Sequence, residues 1–137
     1  MLNENERNHL IKKAEQARRE AYAPYSGFSV GAALLTKSGL CYTGANIENA
    51  SFTPTVCAER VAFFGALHAG ERDFSAIAVV GGKSDGEITE YCPPCGVCRQ
   101  IMAEFCQGDF LILLSNGAEI KAYTLDELFP NRFTISQ

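Results

Sequence analysis

Apolar positions along this chain recur in two periods, one typical of helices and one typical of strands. Within residues 5–21 the apolar side chains return every three to four positions, with lysine and arginine between them: Leu10, Ile11, Ala14, Ala17 and Ala21. This spacing predicts an amphipathic helix that ends before Pro24. The same argument predicts helices over residues 57–69 and 96–106 and a short helix over residues 125–129.

Short apolar runs separated by turn residues predict five strands, over residues 28–36, 40–47, 74–80, 110–114 and 119–124. Residues 81–94 form the one long polar loop. The predicted order is α-β-β-α-β-α-β-β-α. Helices interleaved with short strands predict an α/β fold, a single three-layer α-β-α domain over residues 1–137. Its core is a mixed five-stranded sheet with helices on both faces.

The charge balance limits the partners of the chain. Twelve Lys and Arg against sixteen Asp and Glu give a formal net charge of −4. Nucleic acids and anionic membranes bind basic surfaces, so we expect neither as a partner. Residues 1–10 are polar and charged, and no apolar run approaches the roughly 20 residues that span a bilayer. We therefore expect a cytoplasmic protein.

Six cysteines in a reducing compartment indicate a metal site or redox chemistry more readily than disulfides. Cys95 and Cys98 form a CxxC motif, which alone is compatible with a redox pair, with half of a structural zinc site, or with chance. Cys57 opens one predicted helix, however, and the CxxC motif lies at the first turn of another. Because helix amino termini favour thiolates, the two ends together could supply three thiolates to one Zn²⁺.

A count of three protein ligands points to a catalytic zinc site. Structural zinc is usually held by four Cys or His side chains, whereas a catalytic site leaves the fourth position to water. The two histidines, His9 and His68, lie near the chain start and about three turns down a helix from Cys57. Neither is well placed as a ligand. A structural zinc module that mediates assembly would need a fourth ligand, which we do not find.

Two charged residues follow Cys57 on the same predicted helix. Glu59 could transfer protons between water and a substrate as a general acid–base, although a first-turn glutamate also complements the helix dipole. Arg60 could donate hydrogen bonds to thiolate sulfurs and offset their charge. The alternative for Arg60 is a surface position, but the rest of this helix is almost wholly apolar.

These residues together resemble a known family. Cys57-x-Glu59 with Pro94-Cys95-x-x-Cys98 matches the zinc deaminase pattern, with three cysteines as ligands and a glutamate that is not a ligand. Along nearly its whole length the chain resembles the small homotetrameric cytidine deaminases, through the stretches APYS at 23–26, FSVGAAL at 28–34, GANIENA at 44–50, CAER at 57–60 and PCGVCRQ at 94–100.

The resemblance implies a zinc-dependent enzyme that converts cytidine and deoxycytidine into uridine and deoxyuridine plus ammonia, in pyrimidine salvage. It implies one Zn²⁺ per chain and a homotetramer with shared active sites. Asn46 and Glu48 would hydrogen-bond the ribose 3′-hydroxyl, and Phe28 would pack against the pyrimidine ring. The Ala58 backbone would contact the base, and Glu59 its N3 and 4-amino edge. Phe133 matches an aromatic residue that reaches into a neighbouring subunit's site.

Two positions depart from that pattern. Phe52 stands where relatives commonly have Tyr. Cys92 extends the motif to CxxCxxC, but an iron–sulfur site would need a further cysteine at suitable spacing, and we expect Cys92 to be a free thiol in the loop. A deaminase of another substrate, such as the nucleoside antibiotic blasticidin S, is the alternative activity. The stretch at residues 46–49 favours an ordinary ribose.

Overall fold

The helices and strands follow one another in the predicted order in the computed structural model, which describes residues 1–135. They are α1 (Glu4–Arg18), β1 (Phe28–Thr36), β2 (Cys41–Ala45), α2 (Ala58–His68), β3 (Phe74–Lys83), α3 (Gly96–Phe105), β4 (Leu111–Ser115), β5 (Ile120–Thr124) and α4 (Leu125–Leu128). None of the helices within these 135 residues is long and apolar enough to cross a bilayer.

The strands form one mixed sheet in the order β2-β1-β3-β4-β5. Strand β1 runs antiparallel to both of its neighbours, β3 and β4 are parallel, and β5 is antiparallel to β4. The parallel pair is joined through α3, as a parallel connection requires a crossover. The prediction of a mixed five-stranded sheet is confirmed. The single domain over residues 1–137 stays a prediction, and residues 136–137 lie outside the described part.

Helices cover both faces of this sheet, which confirms the three-layer arrangement. On one face α1 packs Leu10, Ile11 and Ala14 against strand residues that include Ala78 and Val80. On the other face α2 and α3 share a core whose largest members are aromatic and aliphatic side chains: Phe63, Phe74, Ile77, Met102, Phe110 and Ile112. Burial of this apolar surface on both faces is the main stabilising contribution to the fold.

Two element bounds differ from the prediction by three residues, and the others differ by at most two. Helix α1 ends at Arg18 rather than at residue 21, because the chain leaves the helix to pair Tyr22 with the segment after β2. The Tyr22 N–H donates to the Asn46 carbonyl at 2.9 Å. Strand β3 runs three residues into the predicted loop, to Lys83, because β1 begins early enough to pair with it. The two glycines at the end of β3 are typical of a loop, so the sequence did not predict this extension.

Glycine at position 44 lets α2 lie directly on β2. A Cβ atom there would stand 2.4 Å from the Ala58 carbonyl oxygen and 2.6 Å from the Ala62 nitrogen, closer than atoms can approach. Both atoms belong to the backbone of α2, so no side chain can move aside to make room. The residue that contacts the first turns of α2 must therefore lack a side chain.

We expect Gly44→Ala to lower the free energy of unfolding by about 1–3 kcal/mol or more, because overpacking at a backbone contact forces the helix away from the sheet. Urea unfolding followed by circular dichroism measures this change. The matched control is Gly86→Ala, where the nearest atoms lie 3.8 Å from the added methyl group. That variant should stay within about 0.5 kcal/mol of the parent. Equal stability of the two variants would contradict the proposed steric role of Gly44.

Candidate active site

The amino ends of α2 and α3 meet at one end of the sheet. In the antiparallel pairs, Gly31 near the start of β1 lies opposite Ala45 at the end of β2, and Phe28 lies opposite Lys83 at the end of β3. The start of β1 therefore adjoins the ends of the two strands that lead into α2 and α3. Sequence segments far apart in the chain converge at this end of the sheet.

Three cysteine sulfurs cluster between the two helix termini. Cys57 Sγ lies 3.7 Å from Cys95 Sγ, which in turn lies 3.6 Å from Cys98 Sγ. Zn–S bonds of about 2.3 Å in tetrahedral geometry place sulfurs about 3.8 Å apart, so the spacing fits one zinc ion. No histidine, carboxylate or fourth cysteine among residues 1–135 joins this cluster. The predicted ligand set is therefore brought together, with a fourth coordination position left open.

Local structure leaves these thiols free to act as ligands. Cys57 is the N-cap of α2 and Cys95 the N-cap of α3, and neither side chain caps its own helix. Each sulfur thus lies beside the positive end of a helix dipole. Hydrogen bonds from Cys98 and then Arg60 lower the pKa of Cys57 to about 5. The hydrogen bond that it shares with Cys57, followed by burial, raises the pKa of Cys98.

Arg60 contacts the cluster from the same helix turn. Its Nη2 donates to Cys57 Sγ at 3.5 Å, and this contact raises the pKa of the guanidinium. Its Nε is buried without a hydrogen-bond partner in the described part of the chain. Such a group is costly to bury unless nearby negative charge compensates it. The Cys57 sulfur, whose pKa is lowered, provides such charge next to Arg60, which favours a role for Arg60 at the cluster over a surface position.

Glu59 is buried beside the cysteines. Only 4% of the residue is exposed. Burial, and after it the charge on Cys57, raises the pKa of its carboxyl group to about 7. A carboxyl group of this kind exchanges a proton readily near neutral pH, as a general acid–base must. An ordinary helix-end glutamate would instead be exposed and ionised.

A cavity of about 310 Å³ opens onto this group of residues. It is lined by most of the predicted site residues: Phe28, Asn46, Glu48, Cys57, Ala58, Glu59 and Cys95. Cys98 and Arg60 lie behind the cavity wall, in contact with Cys57 or Cys95. The sheet thus brings the predicted metal ligands, the predicted acid–base and the predicted substrate contacts to one cavity.

Asn46 and Glu48 present complementary hydrogen-bonding groups. The Asn46 amide accepts from the Val30 N–H at 2.8 Å and donates to the Phe28 carbonyl at 2.9 Å, which leaves one N–H unused. The Glu48 carboxylate accepts from the Ser26 hydroxyl and from two backbone N–H groups, those of Tyr25 and Ser26. These bonds keep its pKa below the usual range. One donor and one remaining acceptor suit a hydroxyl group, which both accepts and donates.

The segment that carries Asn46 and Glu48 is tied to the first cysteine. Ile47, between them, exchanges two backbone hydrogen bonds of 3.0 Å with Val56, which immediately precedes Cys57. On its other side Glu48 donates to the Tyr22 carbonyl at 2.8 Å. Two short bridges therefore fix Asn46 and Glu48 relative to the three-sulfur cluster.

Phe133 lies outside the cavity of its own chain and is 68% exposed. Its carbonyl accepts from Gln100 Nε2 at 2.8 Å, so the C-terminal segment follows α3. The preceding residue on α3, Arg99, donates to the Pro94 carbonyl at 2.8 Å and also to Leu128. The structure thus does not bring Phe133 to the site within one chain, and its predicted role remains a matter of assembly.

The sequence analysis assigned no role at the site to several residues that line the cavity: Ser26, Val30, Thr55, Val56, Cys92 and Pro93. Cys92 is a free thiol in the loop before α3, as predicted, and it also lines the cavity. Burial raises its pKa to about 11. The sequence did offer one signal for these two residues: Cys92 and Pro93 lie within three residues of Cys95, a predicted metal ligand. Phe52 is 85% exposed, near the rim.

Comparison with known proteins agrees with this geometry. Residues 4–114 match the family model described as the cytidine and deoxycytidylate deaminase zinc-binding region. The match covers most of the chain and spans both cysteine segments. The chain belongs to this family of zinc-binding deaminases.

The similar proteins are named for deamination. A cytidine deaminase of Halalkalibacterium halodurans is 52% identical over 94% of this chain and 95% of its own length. The crystal structure of a cytidine deaminase from Burkholderia pseudomallei superposes with a TM-score of 0.84 at 43% identity, covering 92% of this chain and 98% of that one. A blasticidin-S deaminase of Bacillus cereus is 33% identical over 77% of this chain and 76% of its own.

We expect the purified protein to hold about one zinc ion per chain, bound by three thiolates. Removal of any one sulfur by Cys57→Ala, Cys95→Ala or Cys98→Ala should reduce the zinc content well below that value. Plasma emission spectrometry after gel filtration measures the ratio. The controls are alanine variants of Cys41, Cys92 and Cys106, which should all keep their zinc. Full zinc retention in any of the first three variants would exclude that cysteine as a ligand.

Proposed function

We propose that this chain is a zinc-dependent cytidine deaminase that acts on cytidine and deoxycytidine in pyrimidine salvage. Water adds to C4 of the pyrimidine, the C4–N bond breaks, and the products are uridine or deoxyuridine and ammonia. The observation that carries the proposal is the three-sulfur cluster beside a buried glutamate in a cavity that also offers a donor and an acceptor to one hydroxyl group. The 52% identity to a cytidine deaminase supports the same substrate.

Cys57, Cys95 and Cys98 would hold the zinc ion, which when bound acidifies a water molecule at neutral pH. Arg60 is the residue that offsets the negative charge of the three thiolates. Its hydrogen bond to Cys57 draws electron density away from that sulfur. Residues in this position typically change metal affinity or activity by about 10–100-fold when they are replaced.

Glu59 is the proposed general acid–base. Its carboxylate takes a proton from the attacking water and donates it to N3 of the ring. It then takes the second proton from the hydroxyl group added at C4 and donates it to the amino group, which leaves as ammonia while the C4 carbonyl forms. The same residue can serve all of these steps because its pKa of about 7 allows both protonation states. Burial excludes bulk water, which would otherwise compete for these protons.

Four further residues orient the nucleoside. Phe28 packs against the pyrimidine ring, and the backbone of Ala58 contacts the base at the first turn of α2. Asn46 donates and Glu48 accepts, together holding the ribose 3′-hydroxyl. Because a base without sugar would leave this polar pair unmatched, the cavity favours nucleosides over free cytosine.

We expect Glu59→Gln to keep its fold and zinc content but to lose at least about 10²–10⁴-fold in kcat, because an amide cannot transfer the protons. The loss of absorbance on conversion of cytidine to uridine measures the rate. Parallel assays with deoxycytidine, cytosine and blasticidin S define the substrate class. Glu15→Gln, an exposed change on α1, is the control and should keep parental activity. Near-parental turnover by zinc-loaded Glu59→Gln would rule out this role, and faster turnover of blasticidin S than of cytidine would reassign the substrate.

We also propose a cytoplasmic homotetramer with shared active sites. Helix α2 keeps an exposed apolar side chain, Phe64, on the face turned away from the sheet, and another chain would cover it. The exposed Phe133 would complete a neighbour's cavity. The free thiols of all six cysteines support the cytoplasmic assignment, since disulfides predominate in oxidising compartments. The net charge of −4 supports a nucleoside rather than a nucleic acid or a membrane as partner.

We expect a protein truncated after Pro130 to remain loaded with zinc but to bind nucleoside more weakly, because the aromatic side chain that caps a neighbour's base pocket is lost. Uridine titration by calorimetry measures the affinity, and light scattering measures the mass. Phe133→Ala in the full chain should reproduce the weaker binding. Unchanged affinity in both variants, or a monomer with full activity, would defeat the shared-site arrangement.

A further inference from the structure

The thiol of Cys92 faces the substrate cavity, yet the chemistry described above does not use it. It lies outside the three-sulfur cluster and forms no disulfide within the described residues. It lines the cavity together with Phe28 and Glu59. A neutral cysteine behaves as a small apolar side chain. Its contribution must therefore come from its size and place.

The place of Cys92 is fixed from behind by Gly81 on β3. A methyl group on Gly81 would lie 2.8 Å from Cys92 Sγ and 3.1 Å from Phe28 Cε2. The Cys92 sulfur and the Phe28 ring therefore both lie against the backbone of β3 at Gly81, which carries no side chain. Because the backbone of a central strand cannot recede, neither side chain can move away from the cavity. The size of the side chain at position 92 therefore sets the free space on this side.

A bound pyrimidine turns one particular edge of its ring towards the side of the cavity that Cys92 lines. This orientation rests on the function proposed above. In the pyrimidine ring, N3 and C5 flank the reacting carbon C4 on opposite sides. A ring whose N3 faces Glu59 on α2 consequently turns C5 towards the segment that leads into α3. Cys92 and Pro93 are the cavity-lining residues of that segment that precede the ligand Cys95.

We propose that Cys92 is a specificity-determining residue that sets how large a substituent the enzyme accepts at C5 of the pyrimidine. The small thiol leaves room beside C5, and a longer side chain on the same backbone would fill it. One methylene group in an apolar pocket changes discrimination by about 10–200-fold. Replacement of Cys92 should therefore alter the choice between substrates much more than it alters turnover of cytidine itself.

The test compares kcat/KM for 5-methylcytidine with kcat/KM for cytidine in the zinc-loaded protein. The larger side chain of Cys92→Leu should lower this ratio by at least about 10-fold, and the smaller side chain of Cys92→Ala should raise it. Cys41→Ala removes an exposed thiol remote from the cavity and should leave the ratio unchanged. Inhibition constants for uridine and 5-methyluridine provide a second readout that does not depend on turnover.

The outcomes separate the two proposals. A ratio that stays within twofold of the parental value in both Cys92 variants overturns the role of Cys92 and leaves the deaminase function standing. Failure of the parental protein to deaminate cytidine overturns the proposed function. In that case, the affinities for uridine and 5-methyluridine still decide whether Cys92 limits space at C5. Opposite shifts in the leucine and alanine variants support the proposal.

Discussion

The site depends on the close approach of the amino termini of α2 and α3, which brings three cysteine sulfurs near enough together to bind one metal ion. Each terminus presents unpaired N–H groups and a partial positive charge, which lowers the cost of placing thiolates there. Three thiolates whose sulfurs all lie within 4.8 Å of one another would repel one another strongly without this field and without a cation between them. Close contact of α2 with β2 at Gly44 and the return of the chain from β3 into α3 hold the two termini in place.

The same geometry accounts for the unusual state of Glu59. Glu59 follows Cys57 by two residues and therefore lies on the turn of α2 that contacts the sheet. The burial of Glu59 thus follows from the position of Cys57, the predicted metal ligand. The adjacent Arg60 donates to Cys57 Sγ, and its positive charge also limits how far burial raises the pKa of Glu59. Neighbouring residues of one helix turn thus have different electrostatic environments, which suits the roles proposed for them: a ligand, an acid–base and a counter-charge.

Much of this arrangement could be predicted from the sequence because its signals are local. Helices α2 and α3 begin within one residue of the predicted positions, and the cysteine spacing predicted that Cys57, Cys95 and Cys98 would come together. The contributions of Cys92 and Gly81 could not be predicted, since they depend on a loop that folds back over a strand end. The amide of Asn46, bonded to the backbone of β1, likewise has no signature in the sequence. Contacts between segments far apart in the chain leave no local pattern in the sequence, so they could not be predicted from it.

The paired backbone bonds between Ile47 and Val56 have a further consequence for how the cavity rim can vary. They close residues 48–55 into a loop whose ends are held independently of its tip, and closure of such a loop costs little more entropy when it lengthens. Insertions or substitutions around the exposed Phe52 therefore need not disturb Cys57 or Glu59, the proposed ligand and the proposed acid–base. The rim is a region in which substrate range can diverge while the reaction chemistry stays constant.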